Sequence, residues 1–566
     1  MSYAVNKPYY EDQAVVLADL YATMAEMGKT NPFFKFLAWL HSWVLSTDHK
    51  RIGILYLIAM FSFFAIGVSL GLTIRLELFW PGQDFISATT YNSVFTLHGV
   101  IMIFLFVIPG IPAIFGNFFL PIHIGAADVQ FPRLNLLSWY MFMGGALIAA
   151  LSLFVGYDAS SGVHWVAPDG GWTFYAPYST TANSNVSLAV FAAFILGFSS
   201  IFTGLNFVST IHRMRHPKQK WMDMPLFVWG LYGTAWIQVL ATPVIGITLA
   251  LLIMERAFGI GIFDAALGGD PVLYQHMFWI YSHPAVYVMV IPGMGVVSEI
   301  IATFSQRTIF GYTSMVLSMI GIAFVGYFVW AHHMFTSGMS EASVAIFSFI
   351  TFFVAVPTAV KVFNWLATLY KGSIQLDPPM IWGLSFVFLF SIGGFTGLAL
   401  GMVSTDLHVH DTYYVVGHFH YTMFGGGGVA VFAALHYWYP KMFGKMYNFT
   451  AAYIGWALFF VGFNVLYGSM LVVGLQGMPR RYHDYLPEFQ GLHQVGSYGS
   501  FIMITGLLIV FGNLFISLFT GKKAPQNPWG GKTLEWTECP TPPVLINFYK
   551  KPKLDHGPYD YPGEWV

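Results

Sequence analysis

The sequence predicts an all-α, polytopic membrane protein with about twelve transmembrane helices. Of its 566 residues, 56% are hydrophobic and 9% are charged, whereas soluble domains carry about 25% charged residues. About twelve apolar runs reach the roughly 20 residues that span a bilayer as a helix, and only helices or closed barrels can satisfy their backbone in lipid. The net charge of -1 argues against a nucleic-acid partner, and the single cysteine excludes an intrachain disulfide or a multi-cysteine metal site.

The apolar runs divide the chain into three regions. The predicted spans are 52–76, 92–120, 134–157, 186–210, 226–254, 274–303, 312–333, 343–370, 380–402, 412–437, 450–474 and 498–520. Residues 1–45 are expected to form a cytoplasmic N-terminal segment whose aromatic part, 33–45, lies on the membrane interface, and no cleavable signal peptide is predicted there. Residues 46–520 form the helical core, and the Pro- and Gly-rich tail 521–566 is expected to be extended and cytoplasmic.

Basic residues orient the predicted helices. They concentrate before the first span and after the fourth, tenth and twelfth spans, at Lys50, Arg51, Arg213, Arg215, Lys218, Lys220, Lys441, Lys445, Lys522 and Lys523. All of these positions fall on one side, and the opposite loops hold mainly Arg256, Arg480 and Arg481. Because cytoplasmic loops carry an excess of Lys and Arg, both termini are expected in the cytoplasm.

Six histidines fall inside predicted spans or at their ends, where ionisable side chains are rare and indicate a functional site. They are His98, His283, His332, His333, His418 and His420. His418 and His420 are two residues apart, so their rings point to roughly opposite sides of a helix that turns about 100° per residue. This spacing favours two planar cofactors on either side of one helix, and haem iron accepts imidazole. The alternative is a pair of histidines satisfied within the core.

With the other four histidines included, the six divide into sets of two, one and three. His283, His332 and His333 offer three imidazoles, which suit copper, zinc or iron and leave one position open for substrate. Tyr287 follows His283 by one helical turn, so the two rings can form a redox pair or simply pack together. His98 has no histidine within one turn and requires a partner from another helix, as in a haem with two axial histidines.

Three longer motifs resemble those of a known family: Trp330-Ala331-His332-His333-Met334-Phe335, His410-Asp411-Thr412-Tyr413-Tyr414 and Pro479-Arg480-Arg481-Tyr482. From about residue 45 to 540 the chain resembles subunit I of the haem–copper oxygen reductases, in the type A branch of the cytochrome c oxidases. The resemblance implies two haems and one copper ion, CuB. It implies that His98 and His420 ligate low-spin haem iron, that His418 ligates the high-spin, oxygen-binding haem iron, and that the three-histidine set holds copper. Tyr287 matches the tyrosine that the family links covalently to the first copper histidine.

The resemblance also assigns residues around the haems. Those that match propionate-region positions are Trp172, Asp406, Arg480 and Arg481, and guanidinium groups suit carboxylates. Arg75 matches the arginine near the formyl group of the low-spin haem, which implies haem A. His410 and Asp411 resemble magnesium ligands at the interface with subunit II. The alternatives are interfacial anchoring for the arginine pair and a helix cap for Asp411.

Two proton pathways follow from the same resemblance. The residues that match the D-pathway are Asp128, Asn117, Asn135, Ser199, Ser200 and Asn206, although a lone loop aspartate is more often a solvated charge. The residues that match the K-pathway are Lys361, Thr358 and Ser298, with Tyr287 at its top. Lys361 lies mid-span, and about ten apolar or small residues separate it from the nearer helix end, so snorkelling is a weak alternative.

One position departs from the family pattern. Many members have glutamate in a His-Pro-Glu-Val-Tyr motif, whereas this chain has Ala285. Tyr281 lies one turn earlier on the same face, next to Ser282, and this Tyr-Ser pattern resembles a subclass of the family. A phenol has a pKa of about 10 against about 4.3 for glutamate. Tyr281 is therefore expected to relay protons through hydrogen bonds without resting as an anion, and a packing aromatic is the alternative.

The expected activity is reduction of O2 to water with electrons from cytochrome c, coupled to proton pumping in a bacterial inner membrane. Expected partners are a subunit II with the dinuclear copper entry site, a subunit III, small subunits and lipid. A quinol oxidase is the first alternative, but the positions of its quinone-site Arg, Asp, His and Gln hold Ile66, Leu70, Thr90 and Ser93. A nitric oxide reductase would lack the tyrosine matching Tyr287, and a transporter or a haem-binding scaffold would make the three-histidine set accidental.

Overall fold

The computed structural model describes residues 32–82, 85–153, 167–543 and 546–561. Within these ranges the chain is helical and forms no strand, and two isolated bridges join Thr412 to Pro479 and Lys445 to Lys523. The numbered helices are α1 Pro32–Val44, α2 His49–Glu77, α3 Ala88–His123, α4 Pro132–Leu151, α5 Val186–Arg213, α6 Leu226–Phe258, α7 Pro271–Ser305, α8 Tyr312–Met334, α9 Glu341–Leu369, α10 Pro378–Gly401, α11 in three parts (Tyr413–Phe419, His420–Gly428 and Val429–Phe443), α12 Phe449–Leu475, α13 Gln490–Thr520 and α14 Leu534–Thr537. Short helices also span Tyr178–Thr181 and Val403–Val409. The all-α prediction is confirmed.

Eleven helices, α2–α10, α12 and α13, are long and apolar enough to cross a membrane in the described part of the chain. The predicted tenth span corresponds to α11, which is continuous along the chain but does not belong to this set. Its three histidines, His418, His420 and His436, and the glycine run Gly425–Gly428 lower its hydropathy. Eleven apolar helices and α11 therefore correspond to the twelve predicted spans. The end of the predicted third span, 154–157, lies outside the described residues.

Local sequence signals account for the helix ends. Asp48 and Asn448 accept hydrogen bonds from backbone N–H groups at the starts of α2 and α12, which satisfies donors that have no intrahelical partner. Gly259 and Gly444 end α6 and α11 with φ of 64° and 66°. Glycine adopts this left-handed conformation without the penalty that a Cβ imposes.

Helix α7 forms the centre of the bundle. It is almost wholly buried and packs against α6, α8, α10 and α11. By contrast, α9 is exposed along its most apolar stretch. Because Tyr281, His283, Tyr287 and Ser298 all belong to α7, the predicted chemistry lies in the interior of the bundle.

Two helices lose regular α geometry where they carry histidines. The π-helical part of α11 begins at His420, and π-helical turns often occur at functional sites. The end of α8, Trp330–Met334, is a 3₁₀ helix that contains His332 and His333. The glycine run of α11 allows close packing on α7, since a Cβ on Gly427 would lie 3.1 Å from the carbonyl oxygen of Met289.

The C-terminal tail packs against the bundle, so the expectation of an extended tail is only partly correct. It contains the short helix α14, and Glu535, Trp536 and Cys539 are fully buried. His123 of α3 lies 2.9 Å from Glu535, and the indole of Trp438 donates a hydrogen bond of 3.2 Å to the same carboxylate. These polar contacts fasten the tail across the ends of α3 and α11.

Candidate functional site

Three histidines meet at the side of α7. His283, His332 and His333 place one ring nitrogen each within 4.8 Å of one another. The distance between Nδ1 of His283 and Nε2 of His333 is 3.1 Å. Nε2 of His283 is buried and has no hydrogen-bond partner among the described residues. Three imidazoles whose ring nitrogens converge in this way fit a bound transition-metal ion.

Neighbouring side chains fix the orientation of this cluster. Trp279 stacks on the ring of His333, with centroids 3.8 Å apart and planes 10° apart. The Thr351 hydroxyl lies 3.1 Å from Nδ1 of His332. Such outer contacts set ring orientation and tautomer in metal sites. Trp279 lies one turn before His283 on α7, so the same helix supplies one member of the cluster and the support for another.

Tyr287 lies beside the cluster. Its ring centroid is 4.9 Å from that of His283, at an angle of 68°. A Cβ on Gly326 would lie 2.5 Å from Cδ2 of Tyr287, so a side chain at position 326 would displace the tyrosine. The predicted i, i+4 pairing is confirmed, and the geometry allows the phenol to exchange a proton or an electron with groups at the cluster.

His98, His418 and His420 share one arrangement. In each residue, Nδ1 lies within hydrogen-bond distance of a backbone carbonyl: Gly67 at 2.8 Å, Gly393 at 3.0 Å and Val416 at 2.8 Å, respectively. A hydrogen bond from Nδ1–H to a carbonyl leaves the Nε2 lone pair available to a metal. The three residues therefore fit haem-iron ligation.

Small residues leave space at two of these imidazoles. A Cβ on Gly397 would lie 2.8 Å from Cε1 of His418, and one on Gly71 would lie 3.1 Å from Cε1 of His98. His98 is close enough to His420, and His418 to His283, to interact electrostatically. His98 and His420 therefore lie on one side of α11, and His418 lies towards the three-histidine cluster. This agrees with the opposite directions that the spacing of His418 and His420 predicts.

An ion-pair cluster lies at the end of the bundle where α11 begins, which is the predicted outer end. Arg480 contacts Asp411 at 2.6 Å, and Nδ1 of His410 lies 2.9 Å from Asp406. Burial alone would lower the pKa of His410, but the hydrogen bond and negative charge of Asp406 raise it. Asp411 is not the cap of α11, because Thr412 accepts the hydrogen bond from the first turn instead. The helix-cap alternative for Asp411 is therefore wrong.

The other residues predicted to lie around the haems are Trp172, Arg481 and Arg75. Trp172 packs beside Gly99, 3.1 Å from the position of a Cβ there, and Arg481 approaches Gly171 equally closely. Burial, together with the positive charge of Arg480, lowers the pKa of Arg481 to about 10. A destabilised guanidinium of this kind favours an anionic ligand. Arg75 is buried and donates hydrogen bonds of 2.6 Å to the carbonyl of His493 and 2.9 Å to Ser497.

Asp128 lies at the predicted inner end, in the loop between α3 and α4, and is 9% exposed. Burial and the nearby charge of Asp48 raise its pKa to about 8. It is therefore not the solvated loop charge that was the alternative. Sequence reasoning missed Asn547 in the tail, whose side chain lies 3.1 Å from His49 and accepts a hydrogen bond of 3.0 Å from Lys50. Its amide also donates to the carbonyls of Ala126 and Ala127, so the tail fixes the loop that carries Asp128.

The polar residues above Asp128 are buried but not all are linked. Both side-chain polar atoms of Asn135, and Oδ1 of Asn117, have no partner in the described ranges. Asn206 instead holds the backbone of Phe131, accepting from its N–H at 2.9 Å. Tyr56 was also missed: its hydroxyl lies 3.2 Å from both Ser138 and Ser199. The sequence signal for Tyr56 was a tyrosine within the apolar first span.

Two adjoining cavities meet at Tyr281. The residues that line the first include Tyr56, Ser199, Ser200, Thr203, Gln238 and Tyr281. The second lies on the side of Trp172 and Ser282 and also includes Tyr281. The cavities share Tyr281, Phe104 and Ile108, and Tyr281 alone among these three carries a polar group. The hydroxyl of Ser282 is buried without a partner in the described residues.

Lys361 is fully buried, and its ammonium has no hydrogen-bond partner among the described residues. It lies 5.2 Å from the ring centroid of Trp365, whose indole donates a hydrogen bond of 3.0 Å to Ser298. Thr358 donates to the carbonyl of Val354. Trp365, which sequence reasoning missed, therefore connects two of the predicted K-pathway residues.

Fold and site together define a membrane-embedded redox protein built around haem-type and metal-binding histidines. The chain matches the family model for cytochrome c and quinol oxidase polypeptide I over residues 51–508. It is 42% identical over 524 residues to cytochrome c oxidase subunit 1 of Synechocystis sp., covering 92% of this chain and 93% of that protein. For cytochrome c oxidase subunit 1 of Cereibacter sphaeroides, the identity is 40% over 544 residues, with coverage of 91% and 95%. The cryo-EM structure of a heme-copper terminal oxidase dimer shares the fold, with a TM-score of 0.68, 20% identity and coverage of 85% and 86%.

The chain therefore belongs to the cytochrome c and quinol oxidase polypeptide I family. Membership implies haem and copper as cofactors, and the histidine clusters fit both. The shared name of the relatives favours cytochrome c oxidase over quinol oxidase. An accidental three-histidine set, as in a transporter, is excluded by the same matches.

Proposed function

We propose that this chain is the catalytic subunit of a proton-pumping terminal oxidase that reduces O2 to water with electrons from cytochrome c. The observation that carries the proposal is the placement of six histidines within one helical bundle: three converge on one point, and in three more Nδ1 faces a backbone carbonyl, which leaves Nε2 available to a metal. Ionisable groups are retained at membrane depth when they serve a function. The curated relatives carry the name of this activity.

The histidines divide between three cofactors. His98 and His420 would hold a low-spin haem, His418 a high-spin haem, and the cluster at His283 the CuB copper. When bound, these groups supply electron transfer and the chemistry of O2 reduction. The chain's own contribution is to orient each imidazole by a carbonyl, a hydroxyl or an aromatic ring. Tyr287, beside His283, is placed to provide a proton and an electron.

Polar residues at the outer end would bind the charged parts of the cofactors. Arg480 and Arg481, with Trp172 and Asp406, would surround haem propionates, and Arg75 would contact a haem A formyl group. The lowered pKa of Arg481 supports this, because an anionic partner would stabilise its cation. His410 and Asp411 would provide part of a Mg2+ site. These are two adjacent polar residues at one end of the bundle, so the remaining ligands would come from a partner such as subunit II.

Protons for the reaction would enter at the opposite end. Asp128 would take them up, and the polar side chains of α3, α4 and α5 would conduct them to the cavity below Tyr281. Tyr281 would then pass them to the second cavity, beside Ser282, in place of the missing carboxylate at Ala285. A second route would run from Ser298 through Lys361 and Thr358 to Tyr287. The buried amino group of Lys361 supports this route, since it has no hydrogen-bond partner among the described residues.

The assembly follows from what the chain would need. Electrons must reach the outer end from a soluble donor, so a subunit II with a dinuclear copper site, and a subunit III, are proposed partners. The positive-inside pattern supports a bacterial inner membrane protein with both termini on the cytoplasmic side.

The proposal is tested with the purified complex in lipid vesicles. The complex should oxidise cytochrome c with O2 uptake and acidify the outside, and quinol should not replace cytochrome c. Tyr281→Phe should lower turnover and protons pumped per electron. Tyr274→Phe is a matched control on α7, because the Tyr274 hydroxyl donates to the carbonyl of Thr173, away from both cavities. Unchanged pumping in Tyr281→Phe would refute the relay, and quinol-driven turnover without cytochrome c oxidation would refute the assigned donor.

A further inference from the structure

A polar stripe lies on α6, where the sequence predicted an ordinary apolar span. Thr234, Gln238 and Thr242 are spaced four residues apart and therefore lie on one helix face. They are 0%, 3% and 1% exposed, respectively. A side-chain oxygen of each has no hydrogen-bond partner in the described part of the chain. Buried polar atoms are nearly always paired, and ordered water is the usual partner when protein groups are not.

Gln238 faces α5 across a closely packed contact. A Cβ on Gly204 would lie 3.0 Å from Cβ of Gln238, and one on Gly197 would lie 3.3 Å from Cγ2 of Thr242. The two glycines of α5 therefore leave room for the two polar side chains of α6. The same segment of α5 carries Ser199, so polar groups of both helices face one space.

Gln238 lines the first cavity together with Ser199 and Ser200 of α5 and Tyr281 of α7. The cavity has a volume of about 40 Å³, and each water requires on the order of 10–15 Å³. It therefore has room for about three waters. The amide of Gln238 can both accept and donate hydrogen bonds without ionising, so it can hold a water chain in either direction of transfer.

We propose that Gln238 binds water in this cavity and positions the proton-conducting chain between Ser199 and Tyr281. Gln238 is a positioning residue: it acts through water and contacts no reacting atom. The inference rests on the proposed proton route and adds α6 to the three helices, α3, α4 and α5, that carry the D-pathway residues. Thr234, one turn before Gln238, extends the stripe towards the start of α6.

The experiment compares two near-isosteric variants, Gln238→Met and Gln238→Glu, in the purified complex. Gln238→Met should slow proton uptake during turnover by about fivefold, the size of one net hydrogen bond. Gln238→Glu keeps a polar oxygen and should stay within about twofold of the wild type. The matched control is Thr248→Val on α6, because Thr248 is buried and its hydroxyl is already satisfied by the carbonyl of Val244. Haem and copper content should be unchanged in all three.

The outcomes separate this inference from the proposed relay. Slow uptake in Gln238→Met alone, with a changed solvent isotope effect, supports water positioning. Normal uptake in Gln238→Met, or equal slowing in Gln238→Met and Gln238→Glu, would overturn it, since equal slowing indicates packing. If Tyr281→Phe impairs pumping while Gln238→Met does not, the relay stands and the role of Gln238 fails. If Tyr281→Phe has no effect, the relay itself fails.

Discussion

Asp128 combines a buried carboxyl group with the position expected for proton entry. It is 9% exposed, and burial together with the charge of Asp48 raises its pKa from 3.8 to about 8. At pH 7, roughly one carboxyl group in ten is then ionised, whereas a free aspartate is ionised almost completely. We therefore expect Asp128 to act as a protonated donor at neutral pH, and Asp128→Asn to remove a group that carries a proton.

The pKa sets the expected pH dependence. Proton uptake by the wild type should be flat up to about pH 8 and then decline by about tenfold for each further pH unit. The folded chain holds this proton more tightly than the unfolded chain. The protonated Asp128 therefore contributes its full stabilisation of the folded state below about pH 4. This stabilisation is lost as the pH rises to about 8. The change from 3.8 to about 8 corresponds to at most about 6 kcal/mol, so Asp128→Asn should be the more stable protein at pH 9.

Two measurements check this prediction. Proton uptake is followed with a pH indicator during single turnovers between pH 6 and 10, and thermal stability is compared at pH 5 and pH 9. Asp223→Asn is the control, since Asp223 is an exposed acidic residue in another connection, after α5. A decline in wild-type uptake centred below pH 6, or normal uptake by Asp128→Asn, would refute the reasoning.

Three further predictions concern other buried polar groups. Lys361→Met should slow proton uptake on reduction of the enzyme and leave the optical spectrum unchanged, and Trp365→Phe should slow uptake less. Normal uptake by Lys361→Met would contradict the proton route through Lys361. Glu535→Leu leaves His123 without its partner and should lower the free energy of unfolding by about 3–5 kcal/mol; a thermal melt within 2 °C of the wild type would contradict this. Asn547→Ala should release the tail, lower the free energy of its docking by about 1–3 kcal/mol and make proteolysis of the tail faster. Proteolysis at the wild-type rate would argue against Asn547 as the anchor of the tail.

The sequence was sufficient for the helices and for the histidine sets because both depend on strong local signals. Apolar runs of bilayer length leave few alternatives, and the spacing of His418 and His420 limits their directions on a helix. The 3₁₀ end of α8 and the π-helical part of α11 were not predicted, because they depend on packing against other helices rather than on local propensity. The same holds for the 3.8 Å stacking of Trp279 on His333.

The polar residues that sequence reasoning missed share a physical cause. Tyr56, Gln238 and Asn547 become relevant through contacts with residues far away in the chain. Asn547 lies nearly 500 positions from Lys50, and the tail composition indicated an extended segment rather than a buried anchor. Gln238 is one of a few uncharged polar residues in a long apolar run, and its importance becomes visible when its neighbours on α5 are known.

The central claim is that the six histidines hold two haems and one copper ion. The most direct test measures haem by pyridine haemochrome and copper by mass spectrometry in the purified wild type and in His333→Ala. The wild type should contain two haems per chain, and His333→Ala should lose one copper per complex while it keeps both haems. Unchanged copper in His333→Ala, or fewer than two haems in the wild type, would contradict the account.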